Sequence, residues 1–508
     1  MLALFRRFLT ERHGQVAILF GMMLIPIVSL VGASIDMSRA VSAKSGLADA
    51  VDAALLALSK EPAMSDDEAK AFIRELTGHM LSGVHDETLD FEVKSISQVD
   101  NQIDVRVEGS IDATMMGIVG FDELGLGLDA SVIRESRRIE VALVLDNTGS
   151  MNSNGKIGAL RSAAGKLVEI LTEADNADEF VDIALVPFVT SVNINRPGAI
   201  NMGWLDQNAQ ARYHGINFDE ASGSVNHFDL FDDMDVDWKG CVEARAEPFD
   251  LDDTPPNIEQ PDTLWVPYFW PDEPNRDSHR YNNNYMDDGR GGSHANRQRH
   301  TGKYGDETPT IDEIPTSTSG PNKSCPQPLL PLTNNFDQVQ GEIDGMIGWN
   351  ASGTNIALGM SWGWRVLSPG EPFTEGVDYD DDETMKAMIV LTDGENVVWG
   401  GWDGHNSSDY TGYGYLAIDG DPHRLGSIDR YSAASNVNDR VEILCQRIKD
   451  RGIRLYTITF QLNSISLRNL FRDCASAPGL YFNSPTNEQL QDAFELIAFD
   501  LSNLRLSK

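Results

Sequence analysis

The sequence predicts an α/β protein: a mostly parallel sheet covered by helices on both faces, preceded by an N-terminal transmembrane helix and a small α+β module. Three observations predict it. A 20-residue run without a charge, Val16 to Ile35, lies near the start. Alternation of apolar and polar residues marks the stretch 89–135. From 138 onward, short continuous apolar runs alternate with helical patterns, as strands buried on both faces require.

At a rise of about 1.5 Å per residue, the Val16–Ile35 run matches the roughly 30 Å hydrocarbon core of a bilayer. A buried core helix would carry a polar stripe, and this run has none. Pro26 is tolerable in a membrane helix. Arg6, Arg7 and Arg12 precede the run and Asp36 follows it. The positive-inside rule then keeps residues 1–15 in the cytoplasm, makes 16–36 a single transmembrane helix and exports the rest. The run is long for a secretory signal, and the small-residue site at Gly32-Ala33-Ser34 is weak, so an uncleaved anchor is expected.

Residues 37–137 are expected to form a helical stalk and the small α+β module. Val41, Leu47, Val51, Leu55 and Leu58 recur at roughly helical spacing among alanines. A second helix is expected over 66–82, starting near Ser65-Asp66-Asp67. Phe91–Ile96, Ile103–Val107 and the Leu124, Leu126, Leu128 series have the period of strands.

The main domain is expected over 138–508. Ile139–Leu145, Val181–Val189, Ala387–Thr392 and Arg454–Phe460 read as strands. Ile157, Leu160, Ala164, Leu167 and Leu171 mark a helix, as do Val441, Leu444, Cys445 and Ile448, and then Leu490, Phe494, Ile497 and Leu501. Between about 195 and 335 the series breaks into a stretch rich in Asp, Asn, Gly, Pro and aromatics, read as a long surface insertion ordered partly by aromatics such as Trp265, Phe269 and Trp270 and by a disulfide. A second, smaller one runs from about 397 to 435. Export into an oxidising compartment favours disulfides, with Cys241 expected to pair with Cys325 and Cys445 with Cys474.

A chain of 508 residues exceeds one ordinary domain, and 41% hydrophobic residues suffice for real cores. Its 78 acidic residues outnumber 40 basic ones, giving a net charge of −38. That balance argues against nucleic acid, which needs clustered Lys and Arg. It also argues against electrostatic docking on an anionic membrane surface. It suits an exported domain and cation binding, or solubility alone.

The strongest chemical signal is Asp146-Asn147-Thr148-Gly149-Ser150-Met151, between a buried strand and a helix. In open parallel sheets, ligands bind beyond the carboxyl ends of strands. A carboxylate and two hydroxyls at alternating positions place three oxygens on one face of a turn, as a small hard cation requires. Ala351-Ser352-Gly353-Thr354-Asn355 adds the Thr354 hydroxyl, and Leu391-Thr392-Asp393-Gly394-Glu395 adds the Asp393 carboxylate. One such loop would be explained equally well as a helix cap; three in this order are specific. Asp378–Glu383 reads as a solvated acidic loop without calcium-loop spacing, and His279, His294 and His300 as surface histidines. No nucleophile elbow, no phosphate-cradling Gly-Lys-Ser/Thr loop and no Cys-x-x-Cys occurs.

The order Asp-x-Thr-x-Ser, Gly-Thr, Thr-Asp-Gly resembles the metal-ion-dependent adhesion site of von Willebrand factor A (VWA) domains, over roughly 138–195 and 335–508. The resemblance implies a Rossmann-like domain. It implies Thr148 and Ser150 as metal ligands, Asp146 and Asp393 acting directly or through water, and Thr354 completing the set. Thr148 stands where many members have Ser, which keeps the oxygen donor. The implied cofactor is a divalent cation, Mg²⁺ first and Mn²⁺ or Ca²⁺ as alternatives. The implied partner is a protein presenting an acidic group.

Arg12-His13-Gly14-Gln15-Val16-Ala17-Ile18, joined to an Ala-rich helix and this domain, resembles the TadE/TadG-like proteins of tight-adherence (Flp) pilus assembly. Trp362-Gly363-Trp364-Arg365-Val366-Leu367-Ser368-Pro369 and Leu504–Lys508 extend that resemblance. Processed pilin-like relatives carry Glu five residues after the cleaved Gly; Leu19 occupies that position here. The resemblance implies a single-pass protein of the bacterial inner membrane, its C-terminal part in the periplasm or at the cell surface, working with other pilus-assembly components. The expected function is pilus assembly or surface adhesion through the metal site. The alternative is a structural minor-pilin-like component in which the metal is only structural. An enzyme is not expected, since the sequence positions no general base, although a carboxylate such as Glu395 could serve as one.

Overall fold

The computed structural model describes residues 13–505, apart from 60, 62–63, 83–88, 100–101, 134–136, 174–176, 196–200, 220–224, 276–280, 307, 313–318, 351–352, 401–403 and 419. Most of the expected cytoplasmic tail, with Arg6, Arg7 and Arg12, the pair Ala351-Ser352, His279 and the terminal residues 506–508 therefore lie outside the described residues. The chain divides into two compact units, Met1–Ser136 with Leu506–Lys508, and Arg137–Arg505.

In the smaller unit one helix, α1 (His13–Leu58), carries the apolar run and continues past it, Pro26 included. At about 1.5 Å per residue it is about 70 Å long. It is the one helix among the described residues long and apolar enough to cross a membrane, which fits a membrane-anchored protein. Its second half is one wall of a core rather than a free stalk. Leu47, Val51, Ala54, Leu55 and Leu58 pack with Ala69 and Ile73 of α2 (Asp66–Leu81) and with Val93, Ile103, Val105 and Val107. Val41 lies off that face and stays exposed. Helix α2 starts at a capping box: the Ser65 hydroxyl accepts from the Glu68 N–H and the Glu68 carboxylate from the Ser65 N–H. The strands β1 (Asp90–Val99), β2 (Gln102–Asp112) and β3 (Glu123–Ile133) form an antiparallel meander.

The larger unit is built on a mixed six-stranded sheet. Its strands are β4 (Arg138–Asp146), β5 (Val181–Phe188), β6 (Leu330–Thr333), β7 (Thr384–Thr392), β8 (Arg454–Phe460) and β9 (Tyr481–Ser484). The spatial order is β9-β8-β7-β4-β5-β6, parallel throughout except that β6 runs antiparallel to β5. Alternate residues feed two cores. Val141, Leu143, Leu145, Ile389 and Ile458 face α3 (Lys156–Leu171), α4 (Phe336–Gly345) and α8 (Asn487–Arg505). Ala142, Val144, Val186, Met388 and Val390 face α5 (Ile356–Leu367), α6 (Arg430–Asp450) and α7 (Ile465–Cys474). Helix α5 lies tight on the sheet, since a Cβ at Gly363 would sit 2.4 Å from Val144. The Trp362–Leu367 segment is buried in this layer.

The described part of the stretch from 195 to 335 is ordered by its aromatics, as expected, but they build a core of their own rather than a surface loop. Trp265, Tyr268, Phe269, Trp270 and Tyr304 are fully buried, and Phe218, Phe231 and Tyr285 pack with them. The smaller insertion joins it: Tyr410 and Tyr415 cluster with Tyr268, Trp270, Cys241 and Cys325. Charges are buried too, Lys303 against Asp272 at 2.7 Å and Arg424 against Glu243 at 2.9 Å. Aromatic rings and paired charges fill this core without needing any sequence period, which is why periodicity left it blank. The sheet also resumes earlier than expected, at Leu330. β6 is four residues long with Pro331 in it, a combination tolerated at a sheet edge. Both disulfides form, Cys241–Cys325 across the insertion and Cys445–Cys474 between α6 and α7, with Cα–Cα distances of 5.6 and 5.2 Å.

Candidate metal centre

Register brings the carboxylates together. β4 and β7 run parallel with Leu145 beside Leu391, so Asp146 and the Thr392-Asp393 pair leave adjacent strands at the same edge. The Thr148 N–H donates to Asp146 Oδ1 at 2.9 Å and the Thr392 hydroxyl to Asp146 Oδ2 at 2.7 Å. The Thr148 and Ser150 hydroxyls are 3.0 Å apart. The Ser150 hydroxyl donates to Asp393 Oδ1 at 2.6 Å. Four of the five predicted residues thus form one continuous hydrogen-bonded chain.

The fifth, Thr354, reaches the same place from the other side. Gly353-Thr354 pairs antiparallel with Val397-Val398. Gly353 has φ +118°, and a Cβ there would lie 1.9 Å from the Val397 carbonyl oxygen, so this position demands glycine. Asn355 then caps α5, its side chain accepting from the Leu358 N–H at 3.1 Å. Thr148, Ser150 and Thr354 together line a cavity of about 510 Å³. Asp146 is fully buried behind it. A groove of about 760 Å³ in the smaller unit, beside Lys70, Arg74 and Glu92, holds none of the predicted site residues.

Burial, and then the negative charge of Asp393, push the Asp146 carboxyl up to about 7; hydrogen bonds from Thr148 and Thr392 oppose this. The site therefore holds more acidity than its protein partners neutralise. Lys156 offsets part of it, its ammonium donating to Asp393 Oδ2 at 2.8 Å, with both side chains buried. Sequence reading missed Lys156. A signal existed, since it opens α3, where the helix dipole disfavours a cation unless an anion stands opposite. One residue after Asp146, both polar atoms of the Asn147 amide are buried without a hydrogen-bond partner.

The donor set consists of two carboxylates and three hydroxyls, all hard oxygens at one strand edge, and so fits a small hard divalent cation. Among the described residues, no group of three or more His, Cys, Asp or Glu gathers as a metal cluster, so this mixed set is the one to test. Asp381 only caps the start of β7, accepting from the Glu383 N–H at 3.0 Å and the Thr384 hydroxyl at 2.9 Å. His294 and His300 are half-buried in the insertion rather than exposed. Glu395 is exposed on the cavity rim and accepts from the Ser464 hydroxyl.

Both insertions contribute to the cavity wall. Asn282 and Asp409 line it, joined by a 2.7 Å hydrogen bond, and Trp399 stands beside them, 56% exposed.

Residues 14–59 match the Flp pilus-assembly TadE/G-like family. No curated protein matches the sequence. Among solved structures, the pilus adhesin SpaC from Lactobacillus rhamnosus GG is similar at 12% identity and TM-score 0.32, over 81% of this chain and 34% of that one. The chain thus spans about a third of SpaC's length. The vWF domain of the type V pili tip protein Mfa5 from Porphyromonas gingivalis is similar at 12% identity and TM-score 0.33, covering 73% and 97%. The PilB minor pilin from Streptococcus sanguinis is similar at 14% identity and TM-score 0.32, covering 82% and 79%.

Proposed function

We propose that this chain is a membrane-anchored pilus-assembly or surface-adhesion protein, whose larger unit is a VWA-like domain that holds a divalent cation. Asp146, Thr148, Ser150, Thr354 and Asp393 would hold the cation, and an acidic group of a protein partner would complete its shell. The single observation that carries this reading is the hydrogen-bonded chain Thr392–Asp146–Thr148–Ser150–Asp393 at the carboxyl edge of β4 and β7, opening through its hydroxyls into the cavity that Thr354 closes. The charge count supports a partner carboxylate. With two carboxylates and the Lys156 ammonium at the site, a divalent cation leaves one positive charge over, which an external anion neutralises in a partly desolvated recess. The match at 14–59 supports placement within pilus assembly, and α1 supports a membrane anchor.

Calorimetric titration of Mg²⁺ into the purified chain tests the metal. Heat of binding is expected for the wild type and not for Asp146→Ala, with an unchanged circular dichroism spectrum. An isotherm indifferent to that substitution rejects the site. Cross-linking pull-downs from membranes, with and without chelator, test the partner: proteins captured only by metal-loaded wild type support adhesion. The same proteins captured in every condition would make the metal structural.

A further inference from the structure

The smaller unit has an apolar feature that the metal site does not use. Residues 113–121 read Ala-Thr-Met-Met-Gly-Ile-Val-Gly-Phe, nine residues without a charge between Asp112 and Asp122. They connect β2 to β3 through one short turn, Met116–Val119. Connections are ordinarily polar. In this one Phe121 is 58% exposed and Met115 40% exposed, so apolar surface faces outward where a soluble module gains nothing from it.

The loop's height along α1 is fixed. Down β2, Gly109 lies against Leu47, Ile111 clusters with Ala40, and Met115 meets Gly32, where an added Cβ would come within 2.6 Å of the Met115 Cβ. The connection therefore descends α1 toward the uncharged run. Asp36 clamps it there, Oδ1 accepting from the Thr114 N–H at 3.3 Å and Oδ2 from the Met115 and Met116 N–H groups at 2.7 Å each. Arg39 adds an ion pair to Asp36 and a hydrogen bond to the Thr114 hydroxyl. The carboxylate is fully buried, so the first charge after the apolar run is not presented to lipid. Gly32 lies one helical turn before Asp36, about 6 Å along the axis. Beside it Val31 and Ile35 are themselves exposed.

We propose that residues 115–121 form an interfacial wedge, inserted at the headgroup–acyl boundary of the leaflet through which α1 leaves the membrane. The inference rests on reading α1 as the spanning helix. Lipid is the occupant because the loop's exposed Met115 and Phe121 continue the exposed apolar surface of α1 at the same depth, while Asp112 and Asp122 bracket it on the water side. Insertion of roughly 5–10 Å is the ordinary depth of such elements. The acidity of the whole chain opposes electrostatic docking on anionic lipid, so the contact is apolar in origin. Its consequence is a two-point attachment that fixes how the α+β module stands on the bilayer.

The test uses the full chain reconstituted in phosphatidylcholine vesicles. The four native cysteines are paired, so an added thiol can be labelled alone with an environment-sensitive fluorophore. Three variants are compared: Phe121→Cys in the loop, Met22→Cys in the apolar run, and Ser97→Cys at the opposite end of the meander. At 121, blue-shifted emission is expected, with intensity lost to lipids spin-labelled near the glycerol and kept against aqueous iodide. Ser97→Cys should show the reverse. Emission at 121 quenched by iodide, while 22 is quenched by chain-end spin labels, overturns the wedge and leaves the anchor standing. Protection at 121 from both quenchers means that protein covers the loop, which also overturns it. If 22 is itself open to iodide, the anchor reading has failed and the wedge falls with it.

Discussion

The central sheet and the lobe made by the two insertions are both densely packed, but from different materials. β4, β5, β7 and β8 bury mainly Val, Ile, Leu and Ala on two faces, with the buried ion pair Glu140–Lys386 between β4 and β7, and each strand can be traced in the sequence as a short apolar run. The insertion lobe buries aromatic rings, the pairs Asp272–Lys303 and Glu243–Arg424, and the Glu273 carboxylate close to the charge of Asp409. Non-directional aliphatic contact tolerates substitution of volume for volume, whereas a buried charge depends on one particular partner. The lobe should therefore be the more brittle region, and the more responsive to pH.

The largest effect is expected at Lys303. Lys303→Ala strands Asp272 as an unpaired buried carboxylate and should cost about 3–5 kcal/mol in urea unfolding. Leu143→Ala in β4 is the matched aliphatic case, at about 2–5 kcal/mol. A loss at Lys303 below about 1 kcal/mol, the scale of a surface pair, would erase the contrast.

Next comes pH. Burial, then the charge of Asp409, push Glu273 up to about 7, above the 4.5 of a free glutamate. A raised carboxylate value means stability is fully present below about 4.5 and is lost as pH rises through about 7. The linked change is roughly 3 kcal/mol. Melting followed from pH 4 to pH 8, about the limits of that window, should show this decline, and Glu273→Gln should make it shallower, since Asp146 and Glu243 are pushed up to about 7 as well. Identical slopes for the two proteins would place the titration elsewhere.

The smallest effect belongs to the proposed cation. At a hundredfold excess over Kd, a bound cation adds about 2.7 kcal/mol to the folded state. Mg²⁺ should raise the melting temperature of the wild type and leave Asp146→Ala unmoved. No shift in either protein would mean that no cation is held there and that the Asp146–Asp393 edge stands on its hydrogen bonds and the Lys156 ion pair.

By itself the sequence determined the charge-free run Val16–Ile35, the strand and helix alternation, and the three loops carrying Asp146, Thr148, Ser150, Thr354 and Asp393. These features are local: a hydrophobic run, a period of two or 3.6, a polar turn at a strand end. The disulfide partners were also within reach, because four cysteines leave few pairings. Tertiary structure decided the rest. Only the parallel register of β4 and β7 puts Asp146 beside Thr392 and Asp393, and only the arrival of α3 delivers Lys156 to Asp393. Only the folding of both insertions places Asn282 and Asp409 on the wall of the same cavity. Only the descent of β2 along α1 brings Met115 to Gly32. The physical reason is common to all four: each joins residues far apart in the chain through packing geometry, and neither composition nor periodicity encodes which distant neighbour a side chain will meet.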